Sequence, residues 1–131
     1  MSINHQQLTL SLLSNLYAIC RLPAEADLPH WAERGDFVSI TRTPDELSVV
    51  CPQKNVPPNV KCERNWRCFK VAGPLDFALT GVLASLANAL AAADISLFAI
   101  STFDTDYLLV KADKLEQAVD AISNEQLAIS K

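Results

Sequence analysis

Trp66-Arg67-Cys68-Phe69-Lys70-Val71-Ala72 is an apolar run that stops at Gly73-Pro74, and the pattern behind it decides the fold. Leu75, Leu79, Val82, Leu83, Leu86 and Leu90 follow with the spacing of one face of a 3.6-residue period, which predicts a helix over 75–93. Ser96-Leu97-Phe98-Ala99-Ile100-Ser101 and Tyr107-Leu108-Leu109-Val110 read as strands on either side of a polar turn at Asp104-Thr105-Asp106. Asp113 and Glu116 have capping-box spacing, and Leu115, Ala118, Val119 and Ile122 line one face of a second helix behind them. The order is β-α-β-β-α, most of a ferredoxin-like βαββαβ unit of the α+β class, with antiparallel strands and helices on one face.

Upstream, Leu8 to Leu13 and Leu16 to Arg21 read as two strands of a hairpin punctuated by Ser14-Asn15. Pro29 to Glu33 suits one helical turn, stopped by Gly35-Asp36. Phe37 to Thr41 and Leu47 to Cys51 make a second hairpin around Thr43-Pro44-Asp45-Glu46, and Pro52 ends its second strand. Gln53 to Asn65, with Pro57-Pro58, reads as a linker or exposed loop. Shifting the chain by 60 residues places Ile40 on Ile100, Leu47 on Tyr107, Val49 on Leu109 and Val50 on Val110. The chain therefore reads as a reduced copy over residues 1–60 and a full module over 61–131, packed as one unit.

At 131 residues and 50% apolar content there is ample material for a core. No stretch is long and apolar enough to span a bilayer, and the N-terminus lacks the basic and apolar regions of a signal peptide, so a soluble cytoplasmic protein is expected. The net charge of −4 argues against a nucleic-acid surface. Lys61, Arg64, Arg67 and Lys70 read as a solvated face, and the aromatics show no arrangement for stacking bases. Cys20, Cys51, Cys62 and Cys68 contain no CxxC pair, so no metal is expected and reduced, mostly buried thiols are. A disulfide between Cys62 and Cys68 is the lesser alternative. His5 and His30 have no serine or cysteine partner, and Gly35, Gly73 and Gly81 form no phosphate loop, so no catalytic residue and no cofactor are expected.

Two features of the long helix bear on function. Its second face, with Thr80, Gly81, Ala84, Ser85, Ala87, Asn88, Ala91 and Ala92, carries no charge, which suits packing against another element, or else a merely alanine-rich exposed helix. At its start, Gly73 and Pro74 would leave the amides of Leu75, Asp76 and Phe77 facing outward, a polarity that attracts a carboxylate unless Asp76 or water satisfies them.

The stretches 39–51, Gly73 to Gly81 and Ile100 to Val110 resemble ACT-domain proteins, both small bacterial tandem forms and the ACT halves of CASTOR-type arginine sensors. The resemblance implies a non-catalytic regulatory module that binds a small effector, commonly an amino acid, where two modules pack together. It implies ligand contacts at Ala72, Gly73, Pro74 and Leu75 and at Ser101, Thr102, Phe103 and Asp106. It also implies a homodimer and leaves room for a separate protein target, with no role for nucleic acid or membrane. A free amino acid fits these residues: amides for its carboxylate, Asp106 or Asp104 for its ammonium, Phe103 against its aliphatic part. Asp104 and Asp106 equally suit plain turn chemistry, and Phe103 plain core packing. The alternative is a structural or partner-binding homodimer without a small ligand.

Overall fold

The computed structural model describes residues 9–72, 82–123 and 128–130. They fall into two compact units. One comprises Asn15–Trp66, the other Met1–Ser14 together with Arg67–Lys131.

The Asn15–Trp66 unit begins with β2 (Tyr17–Leu22), following β1 (Thr9–Leu12) of the other unit. A 3-10 turn at His30–Glu33 stands where a full module would have a helix. β3 (Ser39–Arg42) and β4 (Leu47–Pro52) form the expected hairpin, with Arg42 opposite Leu47. β4 pairs with β2, and β2 with the start of β5 (Cys62–Ala72), so the strand order is β3-β4-β2-β5. Alternation puts Ala18 and Cys20 of β2 and Leu47, Val49 and Cys51 of β4 into one core with Ala32 and Val56. Leu22, Leu28, Trp31 and Cys62 close it.

The loop expected over residues 53–65 is present but shorter, confined to residues 56–61, where the Val60 amide donates to the Pro57 carbonyl (3.4 Å). A 3-10 turn covers Gln53–Asn55, Val56 is buried, and β5 has begun by Cys62. Asn65 holds a positive φ of 69°, a conformation that asparagine tolerates. Gln53 stabilises it, its amide donating to Asn65 Oδ1 (3.2 Å) and its Oε1 accepting the Asn65 amide (2.5 Å).

The other unit repeats the strand order. β6 (Phe98–Ser101) pairs with β7 (Asp106–Lys111), β7 with β5, and β5 with β1. β8 (Ala128–Ser130) lies parallel to β1 at the edge. α1 (Val82–Ala92) and α2 (Leu115–Ser123) pack on one face of these strands. Leu10, Phe69, Val71, Leu108 and Val110 from the strands meet Leu86 and Leu90 of α1 and Ala118 and Ile122 of α2. Each leucine or isoleucine fully withdrawn from water contributes about 1.5–3 kcal/mol.

α1 ends in a Schellman motif: the Ile95 amide donates to the Leu90 carbonyl (2.9 Å) and the Asp94 amide to that of Ala91 (3.0 Å). Asp94 takes the left-handed position (φ 60°), and Ile95 joins the core. The long helix read over 75–93 is described from Val82 onward; its first residues lie outside the described ones. A 3-10 turn at Ala112–Lys114 leads into α2, so Asp113 sits inside that turn and does not cap it.

Two sequence readings are corrected. β1 and β2 do not form a hairpin with each other: β1 pairs with residues 69–72 of β5, and β2 with β4 and residues 62–66 of β5. Ser14-Asn15 offers no glycine for a tight primed turn. The offset between the two later hairpins is also one residue shorter than 60. Arg42 faces Leu47 as Ser101 faces Asp106, so Thr43 falls on Thr102, Val49 on Leu108 and Cys51 on Val110. A one-residue slip exchanges the two faces of a strand, and only the shorter offset keeps core residue on core residue. The longer offset pairs Val50, which lies on the strand face opposite Val49 and Cys51, with the core residue Val110, a match of residue type and not of face.

Candidate functional site

Four of the expected site residues, Ser101, Thr102, Phe103 and Asp106, lie at the β6–β7 hairpin. Ser101 and Asp106 are directly opposed, and the Ser101 hydroxyl donates to Asp106 Oδ1 at 2.5 Å. A threonine closes the turn. The Thr102 amide donates to the Thr105 carbonyl (2.8 Å), its hydroxyl bonds the same carbonyl (3.0 Å), and its Oγ1 accepts the Thr105 amide (3.3 Å). The β3–β4 hairpin uses the same chemistry: Thr43 Oγ1 accepts the amides of Asp45 and Glu46, each at 3.1 Å. Turn-forming threonine therefore explains the shape of both tips without reference to a ligand.

What distinguishes the β6–β7 tip is Thr105. Its hydroxyl donates to the Val71 carbonyl at 2.5 Å, and the side chain is buried among its neighbours at 6% exposure. This bond fixes the tip beside the end of β5, next to Ala72. The sequence reading passed over Thr105, taking it as turn. Its burial between an exposed Asp104 and a half-buried Asp106 follows from the register of the ladder, which composition does not reveal.

Phe103 projects entirely into solvent, with 102% exposure. Core packing is thereby excluded for it. Asp104 is exposed too, while Asp106 is half-buried beside Ser101. Backbone placement puts Ala72 at the end of β5. Gly73, Pro74 and Leu75 lie outside the described residues, as do Asp76 and Phe77, so the expectation of a helix start with free amides falls outside them too.

The Asn15–Trp66 unit has one concave feature that the sequence did not suggest. An open groove of about 310 Å³ is lined by His30, Trp31, Arg34 and Asn55. Asn55 shapes it by donating to the Arg34 carbonyl at 2.9 Å. His30 is almost wholly exposed, 3.9 Å from Glu33, a surface pair of little energetic weight.

Among the described residues no three His, Cys, Asp or Glu side chains converge as a metal site requires, and no helix is long and apolar enough to cross a membrane. Cys62 and Cys68 are both free thiols, six residues apart along the same strand.

A family profile described as ACT domain matches residues 61–124, and a second, describing an N-terminal domain, matches 15–59. The crystal structure of a protein from Agobacterium tumefaciens is 41% identical, with a TM-score of 0.90 over 94% of this chain and 92% of that one. The human cytosolic arginine sensor for mTORC1 subunit 1 is 40% identical over 62 residues, which are 47% of this chain and 19% of the sensor. This chain thus spans less than a fifth of that relative. Aspartate kinase from Clostridium acetobutylicum shares the fold, with a TM-score of 0.65 at 14% identity over 95% of this chain and 36% of the kinase.

Proposed function

This chain belongs to the ACT-domain family, and we propose that it is a non-catalytic regulatory module holding a free amino acid at the tip of the β6–β7 hairpin. The observation that carries this reading is the Thr105–Val71 bond, which brings Ser101, Thr102, Phe103 and Asp106 alongside Ala72 at the end of β5. Asp106, oriented by the Ser101 hydroxyl, pairs with the ligand's ammonium or with a cationic side chain. Phe103 lies over its aliphatic part. Of the four residues expected there, Ala72, Gly73 and Leu75 have backbone amides to offer the carboxylate, and Pro74, which has none, contributes its ring.

A wholly exposed phenylalanine beside a half-buried carboxylate makes an open site. A second copy of the chain closes it, docked through the uncharged face of α1, where Ala84, Ser85, Asn88, Ala91 and Ala92 are all exposed. The protein works in the cytosol and passes the ligand state to a separate protein target. The relative's name, an arginine sensor, makes arginine the first effector to try. The same uncharged face favours a second reading, a homodimer that binds partners and no small ligand.

A thermal-shift screen of the full chain against the twenty amino acids separates the two. A ligand at 100 times its dissociation constant adds about 2.7 kcal/mol to the folded state, a rise of several degrees. A rise from one or a few amino acids that disappears in Asp106→Ala supports the sensor. A panel without any shift refutes it and leaves the structural dimer. Light scattering at working concentration gives a dimer on either reading, and a monomer refutes the dimer.

A further inference from the structure

Three of the four cysteines meet in the core of the Asn15–Trp66 unit. Cys20 of β2 and Cys51 of β4 are buried, and Cys62 at the start of β5 packs against them while keeping contact with solvent. The ladder specifies how they face each other. Cys20 is directly opposite Cys62, whereas Cys51 is opposite Ala18 and meets Cys20 on the diagonal.

The neighbouring pair of the β2–β5 ladder is hydrogen-bonded, the Arg21 amide donating to the Lys61 carbonyl at 2.9 Å. Hydrogen-bonded and non-hydrogen-bonded pairs alternate along an antiparallel ladder, so Cys20 and Cys62 occupy a non-hydrogen-bonded pair. The Cα atoms of such a pair stand about 4.5 Å apart with side chains on the same face, inside the roughly 4.4–6.8 Å range that a disulfide bridges. Diagonal neighbours stand about 7–8 Å apart, which disfavours Cys51 as the partner.

We propose that Cys62 and Cys20 are a thiol–disulfide exchange site, oxidised by a low-molecular-weight disulfide to a cross-strand bond between β2 and β5. The Cys62 thiolate attacks one sulfur of the small disulfide, forming a mixed disulfide and releasing one thiolate. The Cys20 sulfur, having lost its proton, attacks Cys62 and displaces the second thiolate. Two protein S–H bonds and one small S–S bond are lost; one protein S–S bond and two small thiols form. The protein loses two electrons and the reagent gains them.

Access decides which cysteine reacts first, because an oxidant reaches Cys62 and not the buried pair. The surroundings of Cys62 and Cys20 keep both protonated as resting thiols at neutral pH. Burial pushes Cys62 up, with Arg64 pulling the other way. A hydrogen bond with Cys51, aided by burial, pushes Cys20 well above the ordinary cysteine range, and the same bond holds Cys51 below it. The site is therefore slow and responds to sustained oxidation.

The test is to incubate the full chain with oxidised glutathione, quench with an alkylating reagent, and record intact mass and a non-reducing peptide map. The expected product has lost two hydrogens and carries one bond joining Cys20 to Cys62, reversed by dithiothreitol. In Cys20→Ala the reaction stops at one glutathione on Cys62. Unchanged wild-type mass, a persistent glutathione adduct on the wild type, or a bond that uses Cys51 or Cys68 each overturns the proposal.

Discussion

Replacing Thr105 by valine removes a hydroxyl and keeps the shape of the side chain. The hydroxyl is buried and donates to the Val71 carbonyl; the bonds that close the turn use the Thr105 backbone and the Thr102 hydroxyl, so they survive. The substitution isolates one contact, the one that ties the hairpin tip to the end of β5. Leaving a buried acceptor without its donor costs about 1–3 kcal/mol, and the methyl that replaces the hydroxyl returns part of this. The expected net loss is about 1–2 kcal/mol. With a urea m-value of about 2 kcal/mol/M the unfolding midpoint falls by roughly 0.5–1 M. The melting temperature falls by about 3–8 °C in a chain of this size. Amide exchange of Thr102 and Thr105 should accelerate as the tip loosens, and affinity for the effector should drop although no proposed contact residue has changed. A Thr105→Val protein as stable as the wild type, with unaltered exchange at the tip, refutes the view that this bond builds the site.

Gly35→Ala should destabilise by about 2–4 kcal/mol in urea unfolding, because φ is 137° there and an added Cβ would lie 2.4 Å from Pro52 Cγ, a ring with little room to move. Asp94→Gly should stabilise by about 0.5–1 kcal/mol, read as a higher melting temperature, since glycine takes the left-handed position of the Schellman motif without strain. Phe103→Ser should leave stability within about 0.5 kcal/mol, as befits a fully exposed residue, yet reduce the thermal shift produced by the effector. An unchanged shift removes Phe103 from the site.

The β-α-β-β-α order was legible because strand and helix periods alternate cleanly from Trp66 to Ile122, and cores enforce those periods. Pairing partners were less so. The apolar runs of β1 and β2 sit close in sequence and invite a hairpin, yet β5 is long enough to pair with both. Nothing local to residues 9–22 encodes that choice. The early start of β5 was hidden for the opposite reason: Pro57, Pro58 and Asn59 signal turns, while the hydrogen bonds of Gln53 with Asn65 and the burial of Val56 arise only in the folded chain. At the site, Ser101 beside Asp106 follows from a two-strand register that a reader can count. The burial of Thr105 depends on a third strand, β5, and Phe103 could not be assigned to core or solvent from its type alone.

The most direct test of a sensor at the hairpin tip is to follow backbone amide resonances while titrating amino acids, arginine first. An amino acid that raises the melting temperature should move the amides of Ser101 to Asp106 and those of Val71, Ala72, Gly73 and Leu75 on one saturable curve. It also predicts that Asp106→Ala abolishes these movements. Saturable movements confined to other residues, or none from any amino acid at millimolar concentration, would contradict it.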